Sequence, residues 1–278
     1  MRAFLKHHIA PHLNDTLFAY AAYFWQFGKI PNLRNPKTFN EYLRHLILYE
    51  ENALRNVAAD KLAARNYVAE KIGPGILTEV YDVWDDPAVI DFAGLPSAFV
   101  LKANHGSQMV RVVTDKHAED MEDIRSLVHD WISTNYYLEE RERCYRDIRP
   151  KIFTEQFLND SIHGVPPDYK FFVFDGRVEL VQVDKDRFGD RKQNAYDRNF
   201  ERLPGKLYFD TYPEDLYPQN FHDMICIAEK LGEDFSFIRV DLYSVDGQVY
   251  FGELTNFPMG GLAAIGSEID KFLRSFIP

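Results

Sequence analysis

Two carboxylates, an arginine and an asparagine lie close together near the C-terminal end of the chain. Asp241 and Glu253, with Arg239 and Asn256, interrupt two apolar runs that flank the turn dipeptide Asp246-Gly247. Such a pattern predicts a β-hairpin. Carboxylates that share one face of a hairpin repel each other unless a cation lies between them. Mg²⁺ fills that role and still leaves coordination positions for phosphate oxygens, so a magnesium site is one interpretation.

The length of the turn decides which of these side chains meet. A two-residue loop at Asp246-Gly247 would put Asp241 and Glu253 on opposite faces of the sheet, because side chains alternate along a strand. A three-residue loop that includes Val245 puts Arg239 opposite Glu253 and keeps Asp241 on the same face. We predict the three-residue loop. The competing interpretation is a solvated face with an ordinary cross-strand pair between the arginine and the glutamate.

Two lysines stand inside apolar strand segments in the middle of the chain. Lys102 lies in the segment 97–104 and leads into the turn Asn104-His105-Gly106-Ser107, and Lys170 precedes the aromatic run 171–174. A lysine in such a strand lies near the surface, is ion-paired or binds an anion. The turn can offer main-chain N–H groups to phosphate oxygens, although it is also an ordinary turn sequence. Two lysines and two carboxylates together suggest a nucleotide site, with the lysines on phosphates and the carboxylates on Mg²⁺.

Further candidate binding residues lie in the segment 152–158 and in a later polar loop. Glu155 can accept hydrogen bonds from ribose hydroxyls, or it is the polar side of an alternating strand. The loop 184–196 concentrates cations in an acidic chain, and Arg187 and Arg191 can each bind a carboxylate or phosphate through two hydrogen bonds. The competing interpretation is an exposed loop of mixed charge. The sequence contains no Walker P-loop, no G-x-G-x-x-G and no H-E-x-x-H motif.

The elements that must position these residues form an α+β pattern, with helices first and antiparallel hairpins interleaved with helices after them. We predict helices at about 38–49, 60–72, 219–231 and 267–276, and strands at about 97–104, 110–113, 152–158, 169–174 and 177–183. Residues 1–58 are predicted to be mainly helical. A stripe at helical spacing predicts a first helix docked on the core, with a membrane-surface helix as the alternative; its residues are Ile9, Leu13, Leu17, Ala21 and Phe24.

Composition argues against several classes of protein. The 278 residues are 46% hydrophobic and 15% aromatic, which is typical of a globular chain. A net charge of -11 argues against a nucleic-acid-binding surface. Cys144 and Cys226 have no metal-ligand spacing and are expected to be reduced thiols of a cytoplasmic protein. We also predict no signal peptide and no transmembrane segment.

Seven short segments follow one another in an order that is more specific than any of them alone. They are Asn35-Pro-Lys-Thr-Phe-Asn-Glu41, Asp60-Lys61 with Arg65, Phe99-Val-Leu-Lys-Ala-Asn-His-Gly-Ser107, Asp168-Tyr-Lys-Phe-Phe172, Asp186-Arg-Phe188, Arg239-Val-Asp-Leu-Tyr243 and Phe251-Gly-Glu-Leu-Thr255. In this order they resemble the ATP-grasp superfamily. The resemblance is closest to its TupA-like family, which is associated with teichuronopeptide and other surface-polysaccharide biosynthesis.

The resemblance covers roughly residues 30–262 and implies an ATP-grasp fold, in which two α+β subdomains clasp ATP. A helical segment at 1–58 would precede the ATP-grasp domain at 59–278. Within that domain, a small lid with the phosphate loop would occupy about 97–150. A sheet with the adenine hinge and the metal site would occupy about 151–278.

The resemblance also implies a role for each matched residue. The residues that would bind ATP are Lys102, Asn104, His105, Gly106, Ser107 and Lys170 at the phosphates and Glu155, Gln156, Phe157 and Leu158 at the adenine hinge. Arg239 would act with Lys102 in catalysis by neutralising a transferring phosphoryl or acyl-phosphate oxygen. Asp241 and Glu253 would ligate Mg²⁺.

The metal site departs from the pattern of the superfamily at one position. An Asn usually stands two residues after the metal-binding Glu. Here Thr255 occupies that position and Asn256 follows it. Either Asn256 reaches the metal through a local bulge, or Thr255 replaces it.

The implied activity is that of an ATP- and Mg²⁺-dependent carboxylate–amine ligase that works through an acyl phosphate. The product implied by the resemblance is an amide between an amino acid or amine and a uronic-acid-type unit of a surface glycan, made in association with polysaccharide assembly machinery. From their local concentration, we predict that Arg187 and Arg191 hold the carboxylate substrate. Two alternatives remain, a kinase acting on a sugar or glycan and a non-catalytic assembly module.

Overall fold

The computed structural model describes residues 13–162, 164–185 and 189–278. Its helices are α1 (Asp15–Phe27), α2 (Phe39–Tyr49), α3 (Leu54–Ala59), α4 (Lys61–Lys71), α5 (Met121–Ser133), α6 (Tyr136–Glu140), α7 (Phe221–Gly232) and α8 (Ser267–Arg274). Its strands are β1 (Val80–Trp84), β2 (Phe99–Ala103), β3 (Val110–Val113), β4 (Ile152–Gln156), β5 (Asp168–Phe174), β6 (Arg177–Lys185), β7 (Lys192–Asp197), β8 (Phe237–Val245) and β9 (Gln248–Thr255). In these ranges, no helix has both the length and the apolar character needed to cross a membrane.

The strands form two antiparallel sheets. The smaller sheet has the order β1-β4-β2-β3, and the larger has the order β7-β6-β5-β8-β9. Two Asp-Gly dipeptides make the tight connections of the larger sheet, Asp175-Gly176 between β5 and β6 and Asp246-Gly247 between β8 and β9. All four residues have positive φ, which is the backbone conformation that a two-residue hairpin loop requires.

Strand β4 belongs to the smaller sheet. The sequence prediction groups residues 152–156 with the larger sheet, but β4 pairs with β1 and β2. Asn104 fixes this arrangement, because its N–H donates to the carbonyl oxygen of Lys151 at 3.1 Å and its Oδ1 accepts from the N–H of Lys151 at 2.7 Å. These bonds hold the start of β4 beside the end of β2.

Helices cover the larger sheet on both faces, but one face is only half apolar. Residues of β5 such as Phe171 and Val173 pack with α4 and α7 on the first face. On the second face, Phe172 and Phe174 pack against residues of α2 and α8. Because side chains alternate along a strand, Lys170 lies on the same face as Phe172. This polar half of the second face carries the charged residues of the candidate site.

Helix α1 docks through a different face from the one that the sequence predicts. Phe18 and Tyr23 are buried, whereas Leu17 is 55% and Phe24 is 50% exposed. Tyr23 has a polar anchor, because its hydroxyl lies 3.4 Å from Oγ1 of Thr38. The helix offers two overlapping apolar stripes, and the prediction follows the stripe that lacks this anchor. The part of the predicted stripe before residue 13 lies outside the described residues.

Candidate active site between the two sheets

The β8–β9 hairpin brings two carboxylates face to face. Its loop has two residues, Asp246 and Gly247, with φ angles of 48° and 82°, so the prediction of a three-residue loop is wrong. An Asp-Gly pair adopts positive φ at both positions, which matches the twist of the flanking strands. A β-bulge at Gly252 then adds one residue to β9, and Asp241 pairs directly with Glu253 instead of lying on the opposite face.

Gly252 is the residue that permits this bulge. A Cβ atom there would lie 3.0 Å from the carbonyl oxygen of Asp241 and 3.0 Å from Cε2 of Tyr243. Because the first neighbour is backbone, a larger residue would fit only if the two strands moved apart. The bulge, and with it the meeting of the carboxylates, therefore depends on a glycine at this position.

Arg239 joins the two carboxylates. Its guanidinium donates to both carboxylate oxygens of Asp241 at 2.6 Å, to Oγ1 of Thr255 at 2.9 Å and to Oε1 of Glu253 at 3.3 Å. Burial lowers the pKa of Arg239, but the charge and hydrogen bonds of Asp241 outweigh burial and hold this pKa above its ordinary value. The side chain of Asp241 is 3% exposed and that of Glu253 is 41% exposed, so Glu253 is the more accessible carboxylate.

Lys170 extends the charged row toward the centre of the larger sheet. It lies between Asp241 and Gln182 in register, and its Nζ is 2.9 Å from Asp241, 3.3 Å from Asp168 and 3.9 Å from Asp184. Burial lowers the pKa of Lys170, but the three carboxylates outweigh burial and raise it. The side chain is 5% exposed. The structure therefore places Lys170 among carboxylates, where it holds Asp241, and not on the wall of the cleft described below.

Lys102 and Glu155 meet on neighbouring strands of the smaller sheet. Nζ of Lys102 forms an ion pair with Oε1 of Glu155. Oε2 of Glu155 lies 3.2 Å from a guanidinium nitrogen of Arg65 and accepts from Oγ1 of Thr78 at 2.9 Å. Both Lys102 and Glu155 line the cleft between the sheets. Glu155 thus holds the lysine in place, and its contact with a ribose stays a prediction.

Lys61, the first residue of α4, is a site residue that the prediction omitted. Its Nζ donates to the carbonyl oxygen of Gly106, and it lines the cleft together with Lys102 and Glu253. Burial lowers the pKa of Lys61, and the charge of Lys102 adds to this effect against the opposing charge of Glu253. Asp60 caps the helix through its side chain and so determines where α4 begins. The sequence did contain a signal for Lys61. The pair Asp60-Lys61 is one of the seven segments of the sequence resemblance, but neither residue was assigned a role.

In the turn after β2, Asn104 and His105 make structural contacts, and Gly106 and Ser107 line the cleft. Asn104 and His105 are 1% and 3% exposed. Nε2 of His105 lies 2.9 Å from the carbonyl oxygen of Trp131, and burial lowers the pKa of this histidine. Gly106 and Ser107 line the part of the cleft that also contains both lysines. Among the four predicted phosphate-loop residues, the structure brings the glycine and the serine to the site and gives the other two structural contacts.

The other end of the cleft adjoins the end of β4 and is mainly apolar. Phe157 and Leu158 line it, and no residue that the structure describes forms a hydrogen bond with their main chains. Open main-chain groups beside apolar walls are suited to the polar edge and the flat faces of a purine. Gln156 also lines this end, together with Val100, Val110, Val112, Val165, Pro166 and Phe251.

Asn256 does not join the pair of carboxylates. Its Nδ2 donates to the carbonyl oxygen of Arg55 at 2.9 Å, and its Oδ1 accepts from the same arginine at 3.3 Å. Oγ1 of Thr255 instead lies 3.0 Å from Oε1 of Glu253. Alternation along β9 puts Thr255 on the face of Glu253 and turns Asn256 away. The structure therefore corrects the prediction of Asn256 as a metal ligand. Thr255, and not Asn256, is the neighbour of Glu253.

One of the two predicted substrate arginines, Arg191, extends the charged row at its other end. Nη2 of Arg191 lies 2.5 Å from Oδ2 of Asp184, and its guanidinium carbon is 4.7 Å from the ring centroid of Phe209. Asp184 in turn contacts Lys170, and Lys170 contacts Asp241, so three successive ion pairs connect Arg191 with Asp241. Arg187 lies outside the described residues.

The donor set fits a Mg²⁺ ion that shares its coordination with phosphate oxygens. Asp241 and Glu253 oppose each other in register and supply two carboxylates. Within the described ranges, no group of three or more His, Cys, Asp or Glu side chains is arranged to hold a metal ion by itself. Mg²⁺ usually takes one or two carboxylates and completes its shell with water and substrate phosphates. Two opposed carboxylates beside a lysine-lined cleft match that requirement.

The protein belongs to the TupA-like ATP-grasp family, whose family model matches residues 41–277. The match confirms the ATP-grasp fold predicted from the order of the motifs. It also accounts for a mixed α/β chain with two separate antiparallel sheets. A search of curated proteins gave no significant match.

Solved structures with detectable similarity include several ligases. A D-alanine–D-alanine ligase from Bacillus anthracis complexed with ATP is 14% identical, with a TM-score of 0.48, and the match covers 80% of this chain and 65% of that chain. An L-amino acid ligase from Bacillus licheniformis is 14% identical, with a TM-score of 0.48 and coverage of 80% and 48%. A D-alanine–D-alanine ligase from Helicobacter pylori is 16% identical, with a TM-score of 0.44 and coverage of 80% and 62%. The chain therefore spans less than two thirds of each of these proteins.

Proposed function

We propose that this protein is an ATP- and Mg²⁺-dependent carboxylate–amine ligase. The family match supports the class, and one observation supports the chemistry. The bulge in β9 places Asp241 opposite Glu253 at the cleft that Lys61 and Lys102 line and that ends at residues 156–158. Paired carboxylates, paired lysines and an apolar end with open main-chain groups match the three parts of Mg-ATP.

In this proposal, different residues bind different parts of the nucleotide. Lys61, Lys102 and the turn at Gly106 bind the phosphates, and the main chain at 157–158 binds the adenine. Asp241 and Glu253 hold Mg²⁺, which when bound spreads the negative charge of the phosphates. Arg239 neutralises charge on the transferring group. Lys170 holds the side chain of Asp241 in place through their contact at 2.9 Å, which is a positioning role.

The proposed reaction has two steps. A carboxylate oxygen of the substrate attacks the γ-phosphorus of ATP, the bond to the bridging oxygen breaks, and ADP leaves with that electron pair. The resulting acyl phosphate is attacked at its carbonyl carbon by a neutral amine. Inorganic phosphate leaves, and the nitrogen loses a proton to give the amide. We propose Arg191, with Arg187, as the residues that hold the substrate carboxylate.

The finer assignment of substrate and setting is also a proposal. The family is named for TupA-like proteins, and a uronic-acid-type unit of a surface polysaccharide is the carboxylate that this implies. Such a reaction would take place in the cytoplasm, where ATP is available, in association with polysaccharide assembly. The amine is an amino acid or another primary amine.

The test is ADP release with a panel of uronates and amines, compared between wild type and a double variant, Asp241→Asn with Glu253→Gln. Wild type should release ADP and phosphate only when a carboxylate and an amine are both present, and the double variant should lose at least 100-fold of this activity while remaining folded. Asp223→Asn, at an exposed carboxylate on α7, is the control and should retain full activity. Retained activity in the double variant refutes the assignment of the site.

The same assay separates the competing functions. A kinase would give a stable phosphorylated product without an amine. A non-catalytic module would show no stabilisation by Mg-ATP, because a ligand that binds the folded state must raise Tm by mass action. Release of AMP instead of ADP would exclude the acyl-phosphate route.

A further inference from the structure

The outward side of helix α1 is apolar. Leu17 and Phe24 are 55% and 50% exposed, Trp25 is 40% exposed, and Ile30, just after the helix, is 76% exposed. Leu17, Ala21 and Phe24 follow one another at intervals of four and three residues, so they lie along one side of the helix. Single exposed apolar side chains are common on protein surfaces, but several large ones together mark an interaction site.

A different side of α1 docks on the core, so the outward side is not needed for folding. Ala19 and Tyr23 are buried, and Ala19 packs with Leu33 and Leu48. A helix on the surface of a globular protein usually places charged and polar residues on its solvent side. The 13 residues of α1 instead include a single charged residue, Asp15.

The charge of Asp15 is balanced by residues from a later part of the chain. Its Oδ1 accepts from the hydroxyl of Tyr137 at 2.6 Å. Its carboxylate also lies 3.4 Å from Nη2 of Arg146 and 3.7 Å from Nη1 of Arg141. Asp15 therefore adds little negative charge to the outward side of the helix.

Positive charge is concentrated in the same part of an acidic chain. Of the 32 Lys and Arg and the 43 Asp and Glu in the whole chain, residues 1–37 contain five and one. The net charge of this part is therefore +4, and that of the other residues is -15. Lys29, Arg34 and Lys37 follow α1 closely, and all three are exposed. A negatively charged surface repels the chain as a whole but attracts this part of it.

We propose that α1 binds the surface of an anionic lipid bilayer. Leu17, Phe24 and Trp25 enter the boundary between headgroups and acyl chains, and the neighbouring basic residues contact lipid phosphates. A helix with large aliphatic and aromatic side chains on one side and Lys or Arg nearby is suited to such a surface. A second copy of the chain fits this face less well, because two segments of net positive charge would meet. The inference does not depend on the ligase function.

Sedimentation of the full chain with lipid vesicles tests the binding. Wild type should bind vesicles that contain about 30% phosphatidylglycerol at least about ten-fold more tightly than vesicles of phosphatidylcholine alone, and about 1 M NaCl should remove most of this difference. Leu17→Ser with Phe24→Ser should lower the affinity for anionic vesicles at least about ten-fold and leave Tm nearly unchanged, because both side chains are exposed. Val89→Ser with Ile162→Ser, at side chains that are 64% and 80% exposed, is the matched control and should bind like wild type.

The fluorescence of Trp25 reports whether this side of the helix enters the bilayer. The other two tryptophans, Trp84 and Trp131, are each 8% exposed, so a change caused by lipid comes mainly from Trp25. Anionic vesicles should shift the emission of wild type to shorter wavelength, and brominated acyl chains should quench it about two-fold. Trp25→Phe should remove both effects. Vesicle binding without either effect would show adsorption by charge alone and would overturn the proposal.

Charge variants complete the test. Lys29→Gln with Lys37→Gln should lower the affinity for anionic vesicles at least about five-fold. Lys206→Gln with Lys230→Gln, at side chains that are 60% and 50% exposed, should leave it unchanged. The proposal is overturned if wild type binds neither kind of vesicle, if it binds both equally, or if Leu17→Ser with Phe24→Ser binds as tightly as wild type. A wild-type dimer that this last variant converts to a monomer, without vesicle binding, would assign the face to a second copy instead.

Discussion

The two strand lysines, which look alike in the sequence, should respond in opposite ways to the same substitution. Lys170 is 5% exposed and contacts Asp241, Asp168 and Asp184 within 3.9 Å. Methionine fills most of the same volume, so Lys170→Met mainly removes a charge from among three buried carboxylates. Removing one partner from a buried ion pair costs roughly 3–5 kcal/mol. We expect Lys170→Met to lose at least about 3 kcal/mol of unfolding free energy, a large part of the total stability of a domain.

Lys102→Met should lower stability much less than Lys170→Met does, and it should weaken Mg-ATP binding far more. The side chain of Lys102 is 16% exposed, and its partner Glu155 keeps Arg65 at 3.2 Å and Thr78 at 2.9 Å when the lysine is removed. The expected loss of unfolding free energy is about 1 kcal/mol. Because Lys102 lines the cleft, its loss should weaken Mg-ATP binding at least ten-fold.

Equilibrium unfolding in urea at pH 7.5 tests this difference. The reasoning is refuted if Lys170→Met is no less stable than Lys102→Met under these conditions.

Three further predictions follow from other contacts. Burial raises the pKa of Glu142 from 4.5 to about 8 in the folded protein. The free energy of unfolding should therefore fall as pH rises from 4.5 toward 8, by up to about 5 kcal/mol, because the unfolded protein loses this proton first. Urea unfolding at pH 5 and pH 8 should show this loss of stability in wild type, and Glu142→Gln should remove it. Gly252→Ala should cost about 1–3 kcal/mol and abolish stabilisation by Mg-ATP, because the new methyl group forces Asp241 away from Glu253; unchanged Mg-ATP binding by calorimetry would contradict the role of the bulge. Asn256→Ala should lower Tm but leave the Mg²⁺ concentration for half-maximal activity unchanged, since its side chain binds Arg55; a large increase in that concentration would restore it as a metal ligand.

The hairpin shows how far local sequence carries a prediction. An Asp-Gly pair between apolar runs is enough to predict a turn and two strands, and both are present. Its register was predicted wrongly because the bulge at Gly252 depends on how closely the backbone of the partner strand approaches. A glycine inside a strand was the available signal for such a bulge. The sequence analysis nevertheless predicted that Asp241 and Glu253 lie together, although it reached this result through a three-residue loop that does not form.

Lys61 and Asn256 show what spacing cannot resolve. Lys61 becomes a site residue because α4 begins beside Gly106, where this lysine lines the cleft. Asn256 stands next to the position where an amide is expected, yet alternation along β9 turns it toward Arg55. Both outcomes depend on which element packs opposite, and that information is not local.

The amino-acid sequence by itself determined the α+β class, because turn geometry and strand alternation are local properties, and the order of its short motifs carried the resemblance to the ATP-grasp superfamily. Only the tertiary structure decided what each charge does. Lys102 and Lys170 occupy similar apolar strands, but one faces a cleft and the other lies among three aspartates contributed by β5, β6 and β8. The function of a buried charge is set by the partners that the fold brings to it, and those partners are distant in the sequence.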